Sequence, residues 1–355
     1  MSYLFHCALL TYLLQTSPLA AQTPDPKAVE HYRAGYHLLK AHNYRNAAIE
    51  LEQATLIDTT YGQAFYALGK AFQVLNEYPK AIQAYKTASR LGIAQERIPT
   101  ELTQLYYLAA IKLYSQRKYK EAVLNFDQSL QLEPDNAKAY YIKGLCYRSL
   151  RNLEAATKAF RRAVEANPQY AKPHKSLGDV SRRQRNYTPA AQAYEQAIAL
   201  DSTYMEAYGG LALVHIETQD FEATVALLQK ALSINPDYAD GYLYLGTALN
   251  RLGRQHEAVD PLRRSIELNS KNAEAHFRLA QAYYGKGDYR KAIDAGDNAV
   301  SRRRDYHAAE VVLGEAPAKL GQVQEARTWF TRASKDSFFK DYCTYKLKEL
   351  ENLNN

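Results

Sequence analysis

The residues that come nearest to a catalytic motif are His256 to Asp260, which read HEAVD. On a helix, H-E-x-x-H binds zinc through two histidines one turn apart, and its glutamate acts as a general base. Here Asp260 stands where the second histidine is needed, so we expect a solvated turn. The sequence also has no glycine-rich phosphate loop, no G-x-S-x-G elbow and no paired-cysteine metal motif. We therefore expect no enzyme activity, no cofactor and no bound metal.

Positive charge and aromatic side chains are the other residues that could do chemistry. Residues 137–204 contain twelve Lys or Arg and five Asp or Glu, so their net charge of +7 equals that of the whole chain. Arginine can bind a carboxylate through two parallel hydrogen bonds, and tyrosine supplies rigid contact area. The chain has 30 tyrosines. This combination predicts a surface that binds an acidic partner.

A repeat of 34 residues must position these side chains. Stepping from Gly144 reaches small residues in both directions, with one step of 41 residues before Ala110. These residues are Gly35, Gly69, Ala110, Gly144, Gly178, Ala212, Gly246, Ala280 and Gly314. Two further small positions follow in each repeat, as in Ala156 and Ala163, with a large apolar residue such as Phe160 between them. Nine repeats cover residues 28–340.

Helical spacing explains the pattern. Small residues let two helices approach closely, and a large residue four positions after a small one lies on the same face and fills the contact. Prolines 134, 168 and 236 mark a second turn, because proline cannot continue a helix. The pattern resembles the tetratricopeptide repeat family over nearly the whole chain. The resemblance implies an all-α, right-handed superhelical solenoid of about nine tandem helix-turn-helix repeats with a C-terminal cap helix.

The chain is expected to divide into six segments. These are a signal peptide at 1–21, a linker at 22–27, repeats 1 and 2 at 28–95, an insertion at 96–102, repeats 3 to 9 at 103–340, and the cap helix at 341–355. The apolar stretch 4–14 is too short to span a membrane and precedes small residues that suit a signal peptidase. We expect an exported, periplasmic or outer-membrane-associated protein with no transmembrane span after cleavage. The alternative is an apolar N-terminal helix that packs on repeat 1.

Several residues depart from the family pattern. Glu310 stands where the other repeats have an aromatic or histidine, and Pro317 predicts a kink or break in the first helix of the last repeat. Lys143 replaces an apolar residue and is expected to extend its ammonium to water. The insertion at 96–102 is expected to lengthen a helix or bend the array. Cys146 and Cys343 are too far apart in a linear array to predict a disulfide.

The resemblance implies that the first helix of each repeat lines a concave groove. Its side chains that do not pack are expected to form ladders there, for example Tyr66, Tyr107 and Tyr141, or Arg148 and Arg182. The predicted partner-binding residues are Tyr66, Lys70, Tyr107, Tyr114, Lys138, Tyr141, Arg148, Lys172, Lys175, Arg182 and Arg183. They suit an extended peptide with acidic and apolar side chains. The alternative is a basic face that only keeps the array soluble.

Three classes of function are compatible with this surface. The first is a non-enzymatic scaffold or adaptor that binds a partner protein or peptide in a bacterial cell-envelope assembly. The second is a subunit of an apparatus that makes or exports polysaccharide, in which the tyrosines would stack on sugars. The third is RNA binding through repeats 4 and 5, which predicts a steep dependence on salt. Export argues against a nucleic-acid partner.

Overall fold

A computed structural model describes residues 23–352 of the chain. Over this range helices are the only regular elements. The nineteen α-helices are α1 Pro26–Lys40, α2 Tyr44–Ile57, α3 Gly62–Val74, α4 Tyr78–Arg90, α5 Ile98–Ser115, α6 Tyr119–Leu132, α7 Ala137–Ser149, α8 Leu153–Ala166, α9 Ala171–Arg183, α10 Tyr187–Leu200, α11 Met205–Glu217, α12 Phe221–Ile234, α13 Ala239–Arg251, α14 Gln255–Leu268, α15 Ala273–Lys286, α16 Tyr289–Arg302, α17 His307–Lys319, α18 Val323–Ala333 and α19 Lys340–Asn352.

The described chain forms two compact parts, which divide between residues 159 and 160, inside α8. In the N-terminal part, α1 packs on α2, α3 on α4 and α5 on α6, and each pair contacts the helix that follows it. The C-terminal part continues in the same way from α9 to α19. We call the odd-numbered helices α1 to α17 the first helices and their even-numbered partners the second helices. The expected all-α array of tandem helix pairs with one final helix is confirmed.

The turn inside each pair repeats one backbone conformation. One residue of this turn has a positive φ, for example 61° at Arg117 and 75° at Gly253. The next backbone N–H donates to a carbonyl five residues earlier, as from Lys118 to Leu113 over 2.9 Å. This arrangement satisfies carbonyl groups at the end of the first helix. The positive-φ residues are His42, Asn76, Arg117, Arg151, Arg185, Gln219, Gly253, Gly287 and Gly321.

The small and large positions of the repeat meet inside the helix pairs. A Cβ built on Gly178 would lie 2.8 Å from the ring of Tyr194, sixteen residues later. Gly35 meets Leu51, Gly69 meets Tyr85, Gly246 meets Leu262 and Gly314 meets Phe330 in the same way. Gly296 occupies the large position of the eighth repeat, and Leu313 of the next repeat fills the space beside it. These contacts confirm the spacing argument.

The insertion lies partly in a turn and partly in a helix. Residues 91–97 connect α4 to α5 without forming a helix, and α5 then runs for 18 residues, from Ile98 to Ser115. The other first helices have 13 to 15 residues. At the N-terminus, α1 begins at Pro26, inside the expected linker, because Asp25 accepts hydrogen bonds from two backbone N–H groups of its first turn.

The prediction of a break at Pro317 is wrong. The helix α17 continues through Pro317 to Lys319. Pro317 has no backbone N–H to donate to the Leu313 carbonyl, and the helix tolerates the loss of this one hydrogen bond in its last turn. The polar residue of this repeat is packed after all. Glu310 is 1% exposed, and its carboxylate lies 2.7 Å from Arg332 and 2.8 Å from His307.

The last helix closes the C-terminal part. On α19, Cys343 and Leu350 are buried against Phe330 and Ala333 of α18. Both Cys146 and Cys343 are free and buried. The expected signal peptide at 1–21 and the end of the cap helix at 353–355 lie outside the described residues.

Candidate functional site

All eleven predicted binding residues lie on first helices. The N-terminal part holds Tyr66 and Lys70 on α3, Tyr107 and Tyr114 on α5, and Lys138, Tyr141 and Arg148 on α7. The C-terminal part holds Lys172, Lys175, Arg182 and Arg183 on α9. Since the two parts are described separately, the candidate site consists of two groups of residues.

Two tyrosines of the predicted ladder, Tyr66 and Tyr107, pack against another aromatic ring. The Tyr66 ring lies 5.5 Å from the Tyr85 ring, edge to face, and the Tyr107 ring lies 6.0 Å from the Phe126 ring. Both tyrosines are half-buried. At the same repeat position, Phe277 is only 5% exposed. Tyr66 and Tyr107 thus pack one side of the ring against the large residue of their own repeat, and their role in lining a partner-binding groove stays a prediction.

The environment of Tyr114 links α5 to α7. Burial raises the pKa of Tyr114, and nearby Cys146 raises it further, whereas the charge of Arg148 acts in the opposite direction. The structure thus brings Tyr114 and Arg148 close together. Tyr141 and Arg148 also make contacts within the protein.

Two of the predicted basic residues are bound by acidic groups of the chain itself. The Lys175 ammonium lies 2.9 Å from Asp179, which also accepts a hydrogen bond from the Tyr194 hydroxyl over 2.9 Å. The Arg182 guanidinium donates to Glu217 of α11 over 2.5 Å. Pairing of this kind lowers the positive charge that these two residues offer to a partner. The prediction from sequence did not include Glu217, although it follows Arg182 by one repeat and one residue.

The remaining cations are exposed. Lys70, Lys138, Lys172 and Arg183 all face solvent, and the Lys70 ammonium lies 4.8 Å from the centre of the Tyr66 ring. Lys138 and Lys172 occupy the same position in successive repeats. They are the residues that an anionic partner can reach without displacing an existing ion pair.

One predicted residue lines a pocket. Tyr107 contributes to a cavity of about 400 Å³ between α5 and the turn that follows α6. Its other lining residues are Pro99, Thr100, Thr103, Gln104, Leu132, Glu133 and Asn136. The mixture of hydroxyl, amide and apolar groups suits a side chain or backbone segment of a peptide.

Residues 23–352 contain neither a candidate metal site nor a candidate membrane-spanning helix. Over this range no cluster of three or more His, Cys, Asp or Glu side chains is arranged to hold a metal ion. Nor does any helix there combine the length and the apolar character that crossing a membrane requires.

Comparison with known proteins identifies the repeat. A tetratricopeptide repeat model matches residues 107–171, 176–239 and 277–337, which together make up more than half of the chain. The chain belongs to the tetratricopeptide repeat family. Two further models of this repeat match residues 246–287 and 227–260. The fold is therefore the one that protein-interaction scaffolds of this family use.

Solved structures show the same fold. The pilF protein of Pseudomonas aeruginosa is 19% identical with a TM-score of 0.52, and the match covers 61% of this chain and 96% of that one. A tetratricopeptide repeat protein from Parabacteroides merdae is 14% identical with a TM-score of 0.53, and the match covers 71% of this chain and 99% of that one.

Curated relatives match over a short segment. The human Cell division cycle protein 16 homolog is 32% identical over 101 residues, which are 28% of this chain. The mouse protein of the same name matches equally. The chain spans only 15% of the length of these relatives.

Proposed function

We propose that the chain is a non-enzymatic scaffold whose first helices bind an acidic partner polypeptide. The observation that carries the proposal is the pair Lys138 and Lys172, exposed cations at one repeat position on α7 and α9. Half-buried Tyr107, Tyr114 and Tyr141 on the neighbouring turns of α5 and α7 would supply contact area.

The proposal also explains why some cations are paired. Lys175 and Arg182 are anchored by Asp179 and Glu217. Fixing these long side chains reduces the entropy that would be lost when a partner orders them. Exposed Lys138, Lys172 and Arg183 then supply the unpaired charge.

The test is co-purification from a native lysate with a double charge reversal. Lys138→Glu with Lys172→Glu should leave the fold intact, because both side chains are exposed, and should lose the partner. The matched control is Lys158→Glu with Arg161→Glu, which makes the same change in net charge at exposed positions of the second helix α8. Retention of the partner by the first variant, or its loss from both, would contradict the proposal.

Arg182 is a poor choice for this test. Replacing it by glutamate would place a carboxylate beside Glu217, so a loss of binding would mix repulsion inside the protein with loss of the contact. If the co-purification recovered only RNA or only glycan, that ligand, and not a polypeptide, would be the partner.

We also propose that the protein is exported. The support is the sequence of residues 4–14, an apolar run, followed by the small residues around Ala20 and Ala21. Expression of the full chain with a C-terminal tag should yield a species that begins near Gln22, measured by N-terminal sequencing. An intact N-terminus in the cytoplasmic fraction would contradict export and, with it, a role in an envelope assembly.

A further inference from the structure

A large apolar cleft lies in the N-terminal part and shares no lining residue with the proposed site. It has a volume of about 630 Å³, its walls come from the second helices α4 and α6, and its floor comes from α5. The apolar lining comprises Tyr78, Pro79, Ile82, Tyr106, Ala109, Leu113 and Leu124. The cleft occurs at the junction where the repeat step is 41 residues in place of 34.

A regular junction provides a direct comparison. The corresponding groove between α14, α15 and α16 has a volume of about 390 Å³, and its walls carry the charged residues Arg263, Glu267, Lys291 and Asp294. In the repeat register, Asp294 corresponds to Leu124 and Arg263 to Lys86. The cleft at the insertion is thus the wider of the two, and it has an apolar side chain where the regular groove has a carboxylate.

Leu124 is the clearest sign that something covers the cleft. Its side chain is 66% exposed. The same repeat position holds Lys158, Gln192, Ala226, Asp260, Asp294 and Thr328 in later repeats, none of which is a large apolar residue. A solvated second helix does not require a leucine there, and a contiguous exposed apolar patch marks an interaction surface.

The rim of the cleft indicates the chemistry of the occupant. The ammonium groups of Lys86 and Lys112 each lie 5.5 Å from the centre of a tyrosine ring, Tyr106 and Tyr78 respectively. The Lys112 ammonium also donates to the Asn76 carbonyl over 3.1 Å. One carboxylate, Glu121, lines the cleft beside these two cations. Charge complementarity therefore favours an acidic occupant with an apolar side chain.

We propose that this cleft is a second docking site, for a short acidic and apolar segment of a partner protein. An aliphatic or aromatic side chain of the segment would pack on Leu124 and Ile82, and its carboxylates would face Lys86 and Lys112. The two sites both use α5, but none of the residues that line the cleft belongs to the proposed first-helix site. A scaffold with both sites could hold two segments at once.

The test uses a library of random peptides displayed on phage and selected on the full chain. Enriched peptides are then synthesised with a fluorescent label, and their dissociation constants are measured by anisotropy. The decisive variant is Leu124→Asp, which installs the residue type found at this position in the eighth repeat. The matched control is Ile49→Asp, at the same repeat position of α2, where the side chain is 52% exposed and lies outside the cleft.

We expect enriched peptides that combine carboxylates with leucine or aromatic residues. Leu124→Asp should weaken their binding by at least about tenfold, whereas Ile49→Asp should change it by less than about twofold. Insensitivity of every enriched peptide to Leu124→Asp, an equal loss with Ile49→Asp, or a preference for basic peptides would overturn the proposal. Loss with Lys138→Glu alone would instead assign the peptides to the first-helix site.

Discussion

At the scale of single residues, the turn inside each repeat contains one residue with a positive φ, which is glycine in some repeats and a larger residue in others. The last three turns place glycine at the positive-φ position, whereas three earlier turns place Arg117, Arg151 and Arg185 there, with φ values of 59° to 61°. The left-handed conformation costs an L residue roughly 1–2 kcal/mol, and glycine avoids this cost. The arginines are exposed, so their side chains do not recover the cost by burial.

Arg117→Gly should therefore stabilise the protein. We expect the free energy of unfolding to rise by about 0.5–1 kcal/mol, because relief of strain exceeds the greater freedom of glycine in the unfolded chain. Urea denaturation measures the change. The reciprocal variant, Gly287→Ala, should lower stability by about 1 kcal/mol. If both substitutions stabilised the protein, or if both destabilised it, this account of the turn would be contradicted.

Buried Glu310 makes a second residue-scale prediction. Removing Arg332 leaves the Glu310 carboxylate buried with only His307 beside it. Arg332→Met should lower the free energy of unfolding by about 3 kcal/mol, since an uncompensated charge stays inside the protein. The double variant Glu310→Leu with Arg332→Met should recover most of this loss, as thermal and urea denaturation would show. A double variant less stable than Arg332→Met alone would mean that the carboxylate itself stabilises the fold.

The cysteines provide a chemical test of burial. Burial raises the pKa of the Cys146 thiol to about 12 and that of the Cys343 thiol to about 11. Because the thiolate is the reactive form, both thiols should be inert at pH 8 in the folded protein. In a Cys7→Ser chain, a disulfide reagent should react with two thiols only after denaturant is added. Rapid reaction of either thiol in the native protein would show that its helix opens readily.

At the scale of helices, the closest approach of a pair is set by the small residue facing the large one. A Cβ on Gly178 would lie 2.8 Å from the Tyr194 ring, which is fully buried. Gly178→Ala should lower the free energy of unfolding by about 1–2 kcal/mol, because overpacking outweighs the higher helix propensity of alanine.

A second substitution separates this clash from other effects. Alanine at position 194 would remove the ring that a Cβ on Gly178 meets. Tyr194→Ala should therefore shrink the penalty of Gly178→Ala, and a double-mutant cycle measures the coupling. Additive effects of the two substitutions would contradict direct contact as the cause.

At the scale of the whole molecule, the sequence predicts the array far better than the surface. The period of 34 residues locates every helix pair, because small and large residues at fixed spacing report directly on close packing. The repeat period does not show where the helix around Pro317 ends or which side chain lies beside Lys143. Pro317 lies in the last turn of its helix. Lys143 forms an ion pair with Asp127 of the preceding second helix, which corrects the prediction that its ammonium extends to water.

The candidate site shows the same limit. Repeat register identifies which side chains share a position, but the half-buried state of Tyr66 and Tyr107 follows from ring contacts within each repeat. The partners of Lys175 and Arg182 lie one helical turn and one repeat away. Among the predicted site residues, Lys138 and Lys172 occupy the same repeat position, and both are exposed to solvent.

The measurement that tests the central claim most directly is hydrogen exchange of the full chain with and without the co-purified partner. Binding along the first helices predicts slower amide exchange in α5, α7 and α9, with little change in α8 and α10. Lys138→Glu with Lys172→Glu should abolish this protection at the same partner concentration. Protection confined to second helices, or protection that survives the double charge reversal, would contradict the proposal that the first helices bind the partner.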